Sequence, residues 1–438
     1  MLALLRQLDK SQWFSAGEIA AMQFRQLAEV CSHARRTVPY YRTMFSGMPL
    51  GMGPDKLREI WGEIPVLTRQ DVQTHEKELV SNLPPVKHGR IMQKKTSGST
   101  GRPITMLSTE LEQLFWKVIT VREHLWHKRD FSGKLSAIRR SKWDPGDQRD
   151  GSCVAGWGPA TDIIFRTGQS SLLNIQNDIC RQAEWLCAEN PEYLISFPSN
   201  LHALADLFIE QGLRLTNVRE IRTVGEVVSS RLRDLCRQAW DAPVVDIYSA
   251  QEVGYIALQC PENDHYHVQS ETMLVEVLDD HDQPTAAGQV GRLVLTPFYN
   301  FAMPFIRYEI GDYAEVGEPC SCGRGLPVLR RILGRVRNMV TYPTGEKKWP
   351  YLGENKYAEI APVLQYQLVQ THLDKIEARL VVGRPLTVDE ESALARHIQS
   401  ELGYRFRIDF AYLETINRSA NFKFEDFISL LTETTGSE

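Results

Sequence analysis

The chain lacks several features that would place it in a simple class. Its 438 residues contain no run of about 18 apolar residues, so a membrane-spanning helix is not expected. The formal net charge of −5 provides no basic field, which disfavours nucleic acid as the main ligand. Eight cysteines are too few for a disulfide scaffold in a chain of this length and suit thiols or metal ligands. We therefore expect a cytoplasmic globular protein of two or three domains.

The chain also lacks the Gly-x-x-x-x-Gly-Lys-Ser/Thr pattern of P-loop nucleotide hydrolases. In its place, small and hydroxyl residues run between basic residues from Lys94 to Pro103. Glycines allow close backbone approach, and hydroxyls with free N–H groups can bind anionic oxygens, so the run is a candidate phosphate cradle. Taken alone, it fits a solvated turn equally well. The candidate residues are Thr96, Ser97, Gly98, Ser99, Thr100 and Gly101.

The periodicity of apolar residues predicts an α/β fold with a helical start. Residues 1 to about 60 read as helices, Thr68 is a plausible N-cap, and a strand precedes the loop. Strands and helices then alternate between residues 192 and 248, which predicts a largely parallel sheet covered by helices. Ligands of such sheets lie beyond the carboxyl ends of the strands.

The second half of the chain changes pattern. Short alternating strands with glycine turns over residues 267–317 predict an antiparallel meander, and glycine, proline and basic residues cluster near 334–345. Beyond them, a strand, strand, helix, strand order predicts a small α+β domain. We therefore expect a large N-terminal domain, 1–335, and a small C-terminal domain, 336–438.

Two motifs carry candidate chemistry. Tyr248 and Ser249 follow the last predicted parallel strand, and Glu252 comes three residues later, where a carboxylate could hold Mg²⁺ against a phosphate. In the segment from Arg307 to Asp312, the aspartate could accept both hydroxyls of a ribose. A helix cap for Glu252 and an ion pair across a turn for Asp312 are the simpler alternatives.

The order of these motifs resembles the adenylate-forming superfamily of acyl-CoA synthetases. With Val38-Pro39-Tyr40-Tyr41-Arg42 and the compact C-terminal domain, the chain looks most like the phenylacetate–CoA ligase group and its capsule-biosynthesis-like relatives. The resemblance implies that the loop wraps the phosphates of ATP and that Glu252 binds Mg²⁺. It further implies a ribose-binding Asp312, a ribose- or phosphate-binding Arg335, Tyr248 near the adenine and acyl group, and a nucleotide-side segment at Gly225 and Glu226.

The resemblance also implies the reaction. A carboxylic acid, aromatic or small, would attack the α-phosphate of ATP and release pyrophosphate, and the thiol of CoA would then take the acyl group. Lys423 is the candidate catalytic lysine, although Phe422 replaces the glycine expected before it. One alternative is an adenylating enzyme that passes the acyl group to a carrier-protein thiol or an amine. Another is a non-catalytic nucleotide- or acyl-binding module. A homodimer is a possible assembly of the chain.

A second site is indicated by Cys260 with His267 and, after the meander, Cys320 and Cys322 in a Cys-x-Cys-Gly knuckle. Three thiolates and one imidazole would complete a closed tetrahedral zinc shell, which is typical of a structural site. His265 is the alternative fourth ligand, and buried or free thiols are the simpler interpretation.

The remaining polar and aromatic residues receive ordinary interpretations. His124 and His127 lie among charged neighbours on a predicted helix and are expected to face solvent. Aromatic and histidine side chains that could line an acyl pocket are more often core residues. These are Trp157, Phe165, Tyr193, Phe197 and His202.

Overall fold

A computed structural model describes residues 1–48, 53–95, 104–139, 151–335, 339–348, 350, 357–416 and 426–431. The chain forms two compact units. The first comprises Met1–Val228 with Leu235–Ile332, and the second comprises Ser229–Asp234 with Leu333–Glu438. Among the helices that the described residues form, none is long and apolar enough to cross a membrane.

The amino-terminal quarter of the chain is helical because apolar residues recur at three-and-four spacing and the helix starts are capped. Ser15 and Glu18 form a capping box at the start of α2 (Ala16–Thr37). Thr68 and Asp71 form another at the start of α5 (Arg69–Thr74), which confirms the predicted cap at Thr68. The helices here are α1 Leu2–Ser11, α2 Ala16–Thr37, α3 Pro39–Met44, α4 Pro54–Ile60 and α5 Arg69–Thr74.

A short antiparallel hairpin and a long helix follow. Strands β1 (Ile91–Lys95) and β2 (Thr105–Thr109) pair from Ile91 opposite Thr109 to Lys95 opposite Thr105. Helix α6 (Glu110–Trp126) begins directly after β2, and the Thr109 hydroxyl accepts a hydrogen bond from the backbone N–H of Glu112. The predicted phosphate loop is the connection between the two strands, and its residues lie outside the described part of the chain.

The parallel and antiparallel segments form one mixed sheet. Its order is β11-β12-β13-β14-β10-β9-β8-β7-β6-β3-β5-β4, which makes twelve strands among the described residues. Neighbours from β5 through β3, β6 and β7 to β8 are parallel, as predicted, and β8 to β9 is antiparallel. The strands are β3 Leu135–Arg139, β4 Ser152–Val154, β5 Ser170–Asn174, β6 Tyr193–Ser196, β7 Glu220–Val224, β8 Val244–Ala250, β9 Gly254–Gln259, β10 Tyr266–Val268, β11 Met273–Leu278, β12 Val290–Pro297, β13 Tyr308–Val316 and β14 Val328–Arg335.

Helices α7 (Ile179–Glu189), α8 (Pro198–Gln211) and α9 (Ser230–Trp240) connect successive strands of the parallel segment. A large apolar core lies between the amino-terminal helices and the antiparallel strands, where Leu27 and Val30 of α2 and Leu295 of β12 are at most 1% exposed. The amino-terminal helices therefore cover the meander.

The second unit has its own core around a four-stranded sheet of order β19-β18-β17-β20. Leu394, Ile398 and Leu402 repeat every four residues along one face of α11 and are buried. The elements are β15 Val340–Thr341, β16 Lys347–Lys348, α10 Tyr357–Ile360, β17 Val363–His372, β18 Lys375–Val382, α11 Val388–Leu402, β19 Arg407–Tyr412 and β20 Phe427–Ser429. The predicted α/β class with a small α+β carboxyl-terminal sheet is confirmed.

Candidate functional site

Two of the predicted nucleotide-binding residues are joined by a hydrogen bond. The Tyr248 hydroxyl, on the last parallel strand, donates to Asp312 Oδ2 at 2.8 Å although the two residues are 64 positions apart. Asp312 follows Gly311, whose φ of +86° is a backbone conformation that favours glycine. The bond fixes the carboxyl group, and a carboxylate has lone pairs for several donors, so Asp312 suits a ligand with paired hydroxyls.

Glu252 lies in the turn between β8 and β9, at the carboxyl end of the parallel strands. Its side chain is 9% exposed, and its Oε1 lies 3.7 Å from Nη1 of Arg69. This distance gives an ion pair but exceeds that of a hydrogen bond. The guanidinium balances the charge of a nearly buried carboxylate, whose oxygens are the ligand type that Mg²⁺ prefers.

The predicted nucleotide-side segment after β7, Gly225 and Glu226, contacts the start of helix α8. Gly225 has a φ of +79°. Glu226 accepts hydrogen bonds from the backbone N–H and the hydroxyl of Ser199, at 2.8 and 3.1 Å, at the start of α8. Glu226 therefore stabilises a helix amino terminus, where a carboxylate is favoured by the helix dipole. The other predicted residue of this group, Ser249, lies in β8, opposite Tyr255 of β9.

Some of the predicted residues lie outside the described part of the chain, and one belongs to the second unit. The loop residues Thr96, Ser97, Gly98, Ser99, Thr100 and Gly101 and the candidate lysine Lys423 lie outside the described part of the chain. Arg335 is the last residue of β14 and belongs to the second unit.

The cysteines and histidine predicted to bind zinc do meet. One ligand atom from each of Cys260, His267, Cys320 and Cys322 lies within 4.8 Å of the other three. The Sγ atoms of Cys260 and Cys320 are 3.8 Å apart, and Cys322 Sγ is 3.3 Å from His267 Nε2. A tetrahedral zinc ion with Zn–S bonds of about 2.3 Å would place its sulfur ligands about 3.8 Å apart. The donor set and its spacing therefore fit a zinc ion.

The surroundings of this cluster also suit a metal. The His267 ring places Nδ1 3.5 Å from the Leu326 carbonyl, which directs Nε2 toward the thiols. Burial lowers the pKa of His267 to about 4, so the imidazole is neutral at pH 7 and able to bind a metal. Backbone N–H groups donate to Cys260 and Cys320 Sγ at 3.5 and 3.4 Å. The metal-ligand grouping contains His267 rather than His265.

Arg324 links this cluster to the first two helices, an arrangement we call the Arg324 clasp. Its guanidinium donates to Cys322 Sγ at 3.4 Å and to Gln12 Oε1 at 2.9 Å. The same group stacks between Trp13 and Trp126, with Cζ 5.0 and 4.5 Å from the ring centroids. The clasp thus ties the turn between α1 and α2 to the cysteine knuckle.

A buried ion cluster lies at the carboxyl-terminal end of α6, and it corrects the prediction for His124. Arg129 makes two 2.6 Å hydrogen bonds to the carboxylate of Glu123 and one to Glu220, and Arg222 donates to Glu123 at 2.5 Å. His124, expected to face solvent, is 2% exposed because its ring packs in this cluster, with Nδ1 3.1 Å from Arg129 Nη1. The charged neighbours that suggested an exposed helix face pair with one another instead.

Sequence reasoning missed Arg69 and the partners of the buried ion cluster. Arg69 had a local signal, since it begins the helix that Thr68 caps. Glu220 and Arg222 lie on either side of Ile221 in β7 and had no local signal. Trp157 and Phe165 pack on Phe131, with ring centroids 5.5 and 4.3 Å from it. Tyr193 packs edge-on against Trp157 at 5.2 Å and completes this aromatic cluster. Their arrangement fits the core interpretation.

The chain was compared with family models, with known proteins and with solved structures. No family model matches the chain. A phenylacetate-coenzyme A ligase of Thermus thermophilus is 24% identical over 381 residues, covering 84% of this chain and 82% of that protein. Protein CapK of Staphylococcus aureus is 20% identical over 388 residues, covering 86% of this chain and 78% of CapK.

Among solved structures, a 2-hydroxyisobutyryl-CoA ligase in the postadenylation state with 2-HIB-AMP superposes with a TM-score of 0.75 at 19% identity. The match covers 95% of this chain and 90% of the ligase. Relatives and fold together confirm the resemblance that the order of motifs predicted.

Proposed function

We propose that this chain, whose fold and relatives are those of the adenylate-forming superfamily, is an acid–thiol ligase that uses ATP. A carboxylate oxygen of the acid attacks the α-phosphorus of ATP and pyrophosphate leaves. The thiol of CoA then attacks the acyl carbonyl, loses its proton, and AMP leaves. The observation that supports this best is the Tyr248–Asp312 hydrogen bond, because it joins two distant motifs at the carboxyl end of the parallel strands.

Each predicted residue has a role in this proposal. Asp312 holds the ribose hydroxyls, with Tyr248 orienting its carboxylate and covering the base, and Gly225, Glu226, Ser249 and Arg335 complete the nucleotide side. Residues 96–101 enclose the phosphates. Glu252 would hold Mg²⁺, which would neutralise charge on the phosphates. Lys423, in the proposed small domain 336–438, would bind the reacting carboxylate and the α-phosphate.

The test is acid-dependent exchange of pyrophosphate into ATP over a panel of aryl and alkyl acids. We expect exchange with at least one acid and its loss in Lys423→Ala, while the variant still converts a supplied acyl-adenylate to the thioester. Full exchange by Lys423→Ala would show that the lysine is misassigned. Exchange with no acid at all would reject the ligase. Product analysis with CoA present and absent separates CoA from a carrier-protein thiol or an amine as acceptor.

We also propose that Cys260, His267, Cys320 and Cys322 hold a structural zinc ion. Four protein ligands leave no position for a reacting water, so the ion would stabilise the fold. Cysteines that bind a metal instead of forming disulfides suit a reducing compartment, which supports the proposal of a cytoplasmic location.

Elemental analysis of protein purified without added metal tests the zinc site. We expect about one zinc per chain. Cys322→Ser should lose it, whereas Cys180→Ser should keep it because Cys180 is exposed on α7 and lies outside the cluster. A metal-free wild-type protein of full stability would reject the site.

A further inference from the structure

The ion pair between Arg69 and Glu252 involves the same carboxylate that is proposed to hold Mg²⁺. Arg69 Nη1 lies 3.7 Å from Glu252 Oε1. The two side chains are 21% and 9% exposed, so the pair is largely withdrawn from solvent. A guanidinium group and a metal ion are both attracted to the negative charge of one carboxylate. The proposed function assigns a role to Glu252 and leaves the guanidinium beside it without one.

The backbone of Arg69 is fixed on both sides. Arg69 is the first residue of α5, and a capping box fixes the start of this helix. Two residues earlier, the Leu67 N–H donates to the Arg307 carbonyl at 2.8 Å, and the Leu67 carbonyl accepts from the Glu309 N–H at 2.9 Å. These two bonds attach the segment before α5 to the start of β13, the strand that carries Asp312. Arg69 therefore extends from a defined backbone position.

The contacts of Arg69 complete a closed circuit around the candidate site. Asp312 of β13 accepts the hydrogen bond from the Tyr248 hydroxyl on β8. The turn after β8 carries Glu252, and the ion pair leads from there to Arg69 and through α5 back to β13. The circuit contains the proposed ribose carboxylate and the proposed metal carboxylate. Arg69 thus belongs to the same rigid arrangement as these two groups.

The charge of Arg69 has a consequence for metal binding. A carboxylate withdrawn from water needs a counter-charge, and a guanidinium is charged at every relevant pH. A divalent ion that binds to Glu252 alone would lie close to this guanidinium, and the two positive charges would repel. An ion that arrives bound to ATP brings several negative phosphate charges, which compensate this repulsion. The pair therefore favours the metal–nucleotide complex over the free ion.

We propose that Arg69 is a specificity residue of the nucleotide site: it pairs with Glu252 in the empty site and disfavours the binding of a free divalent ion there. Mg²⁺ then binds to Glu252 when it enters together with ATP. This inference rests on the proposed ligase function, in which Glu252 would hold Mg²⁺, and it adds the order in which metal and nucleotide arrive. Arg69 acts through Glu252 and is a positioning residue.

The test measures binding of Mn²⁺, a probe for Mg²⁺ sites, to the full chain at pH 8 without nucleotide. The EPR signal of free Mn²⁺ gives the Kd for wild type, Arg69→Gln and Arg69→Lys. We expect Arg69→Gln to bind Mn²⁺ about tenfold more tightly than wild type, because one competing positive charge is removed. Arg69→Lys keeps the charge and should stay within about twofold of wild type.

Three further variants locate the effect. Adding Glu252→Gln to Arg69→Gln should abolish the gain in affinity. Arg69→Met, a second neutral variant that keeps the apolar stem, should show the same gain as Arg69→Gln, and urea denaturation checks that each variant is folded. The matched control is Arg90→Gln, because Arg90 is exposed and pairs with Glu110 at 2.9 Å in the same way. It should leave the Mn²⁺ affinity unchanged.

Equal Mn²⁺ affinity in wild type and both neutral variants would overturn the role of Arg69. A gain that survives the addition of Glu252→Gln would place the metal elsewhere and would overturn it as well. The ligase proposal is tested separately by acid-dependent pyrophosphate exchange. Exchange by the wild type together with equal affinities rejects only the role of Arg69, whereas absence of exchange with every acid rejects the ligase.

Discussion

The two ends of helix α6 carry glutamates with different surroundings, Glu123 fully buried and Glu112 partly buried with a side chain 14% exposed. Glu123, near the carboxyl-terminal end, is fully buried and receives hydrogen bonds from two guanidinium groups, Arg129 and Arg222. Glu112, in the first turn, has one ammonium partner, Lys94, on one of its oxygens. The two carboxylates therefore differ mainly in the number of cationic side chains that pair with them.

The pKa values of the two carboxyl groups follow that difference. Burial alone raises the pKa of Glu123, but the charges of Arg129 and Arg222 outweigh it and the net pKa is lowered. Burial also raises the pKa of Glu112, and the charge of Lys94 offsets it only in part, so the net pKa stays raised. A buried carboxylate with two cationic partners is suited to hold the fold, whereas a carboxylate with one partner contributes less to it.

The largest expected effect is on folding. Glu123→Gln removes the carboxylate that the two buried guanidinium groups share and leaves Glu220 as the remaining carboxylate partner of Arg129. The free energy of unfolding of the first unit should therefore fall by about 3–5 kcal/mol. Urea denaturation followed by tryptophan fluorescence measures it, with Glu110→Gln as a control that should leave the midpoint almost unchanged. A loss below about 1 kcal/mol would mean that the cluster contributes little beyond packing.

Glu123 and Glu112 should contribute to the pH dependence of the free energy of unfolding with opposite signs. The lowered pKa of Glu123 gives a contribution that is complete above the ordinary glutamate pKa of about 4.3 and is lost as the pH falls toward the folded-state value. The raised pKa of Glu112 gives a penalty that grows as the pH rises above about 4.3. Urea midpoints between about pH 2 and pH 8, for wild type and each glutamine variant, measure both contributions.

The difference between wild type and Glu123→Gln should therefore stay constant from pH 8 to pH 5 and shrink below about pH 4. The difference between wild type and Glu112→Gln should move in favour of the variant as the pH rises. Parallel curves for the two variants would contradict the contrast between the two ends.

The smallest effect is the stability of Glu112→Gln at neutral pH. Removing a carboxylate with one cationic partner should change the free energy of unfolding by less than about 1 kcal/mol, in the stabilising direction. Thermal unfolding at pH 8 measures the sign. A loss as large as that of Glu123→Gln would show that both glutamates stabilise the fold to the same degree.

Local patterns made much of the fold predictable. Thr68 was identified as a helix cap from its neighbours alone, and the strands of the second unit followed from alternation between 363 and 413. The Cys-x-Cys-Gly knuckle and the earlier Cys260 and His267 predicted a cluster that the fold does assemble. Each of these signals lies within a few residues or uses residue types that have few other roles.

The missed features depend on contacts between distant segments. Strand β5 begins with two serines, and its composition does not predict a strand. Its parallel pairing with β3 holds it in the extended conformation. His124 looked exposed because its charged neighbours are ordinarily solvated, and their partners Glu220 and Arg222 lie about a hundred residues away. Charge pairing across a fold leaves no periodic trace in a single sequence.

The Arg324 clasp has a consequence for the order in which the chain can fold. Gln12 accepts a hydrogen bond from Arg324, which is 312 residues further along the chain. The Tyr41 hydroxyl donates to the carbonyl of Pro304, 263 residues further along. At about 5–20 residues per second, a ribosome needs roughly 15–60 s to supply the second partner of the first contact. Leu8 of α1 packs with Val118 and Ile119 of α6, which are made early, but the face of α2 that covers the meander stays uncovered until the meander strands exist. Newly made chains therefore expose this face of α2 to chaperones and proteases until the large unit is nearly complete.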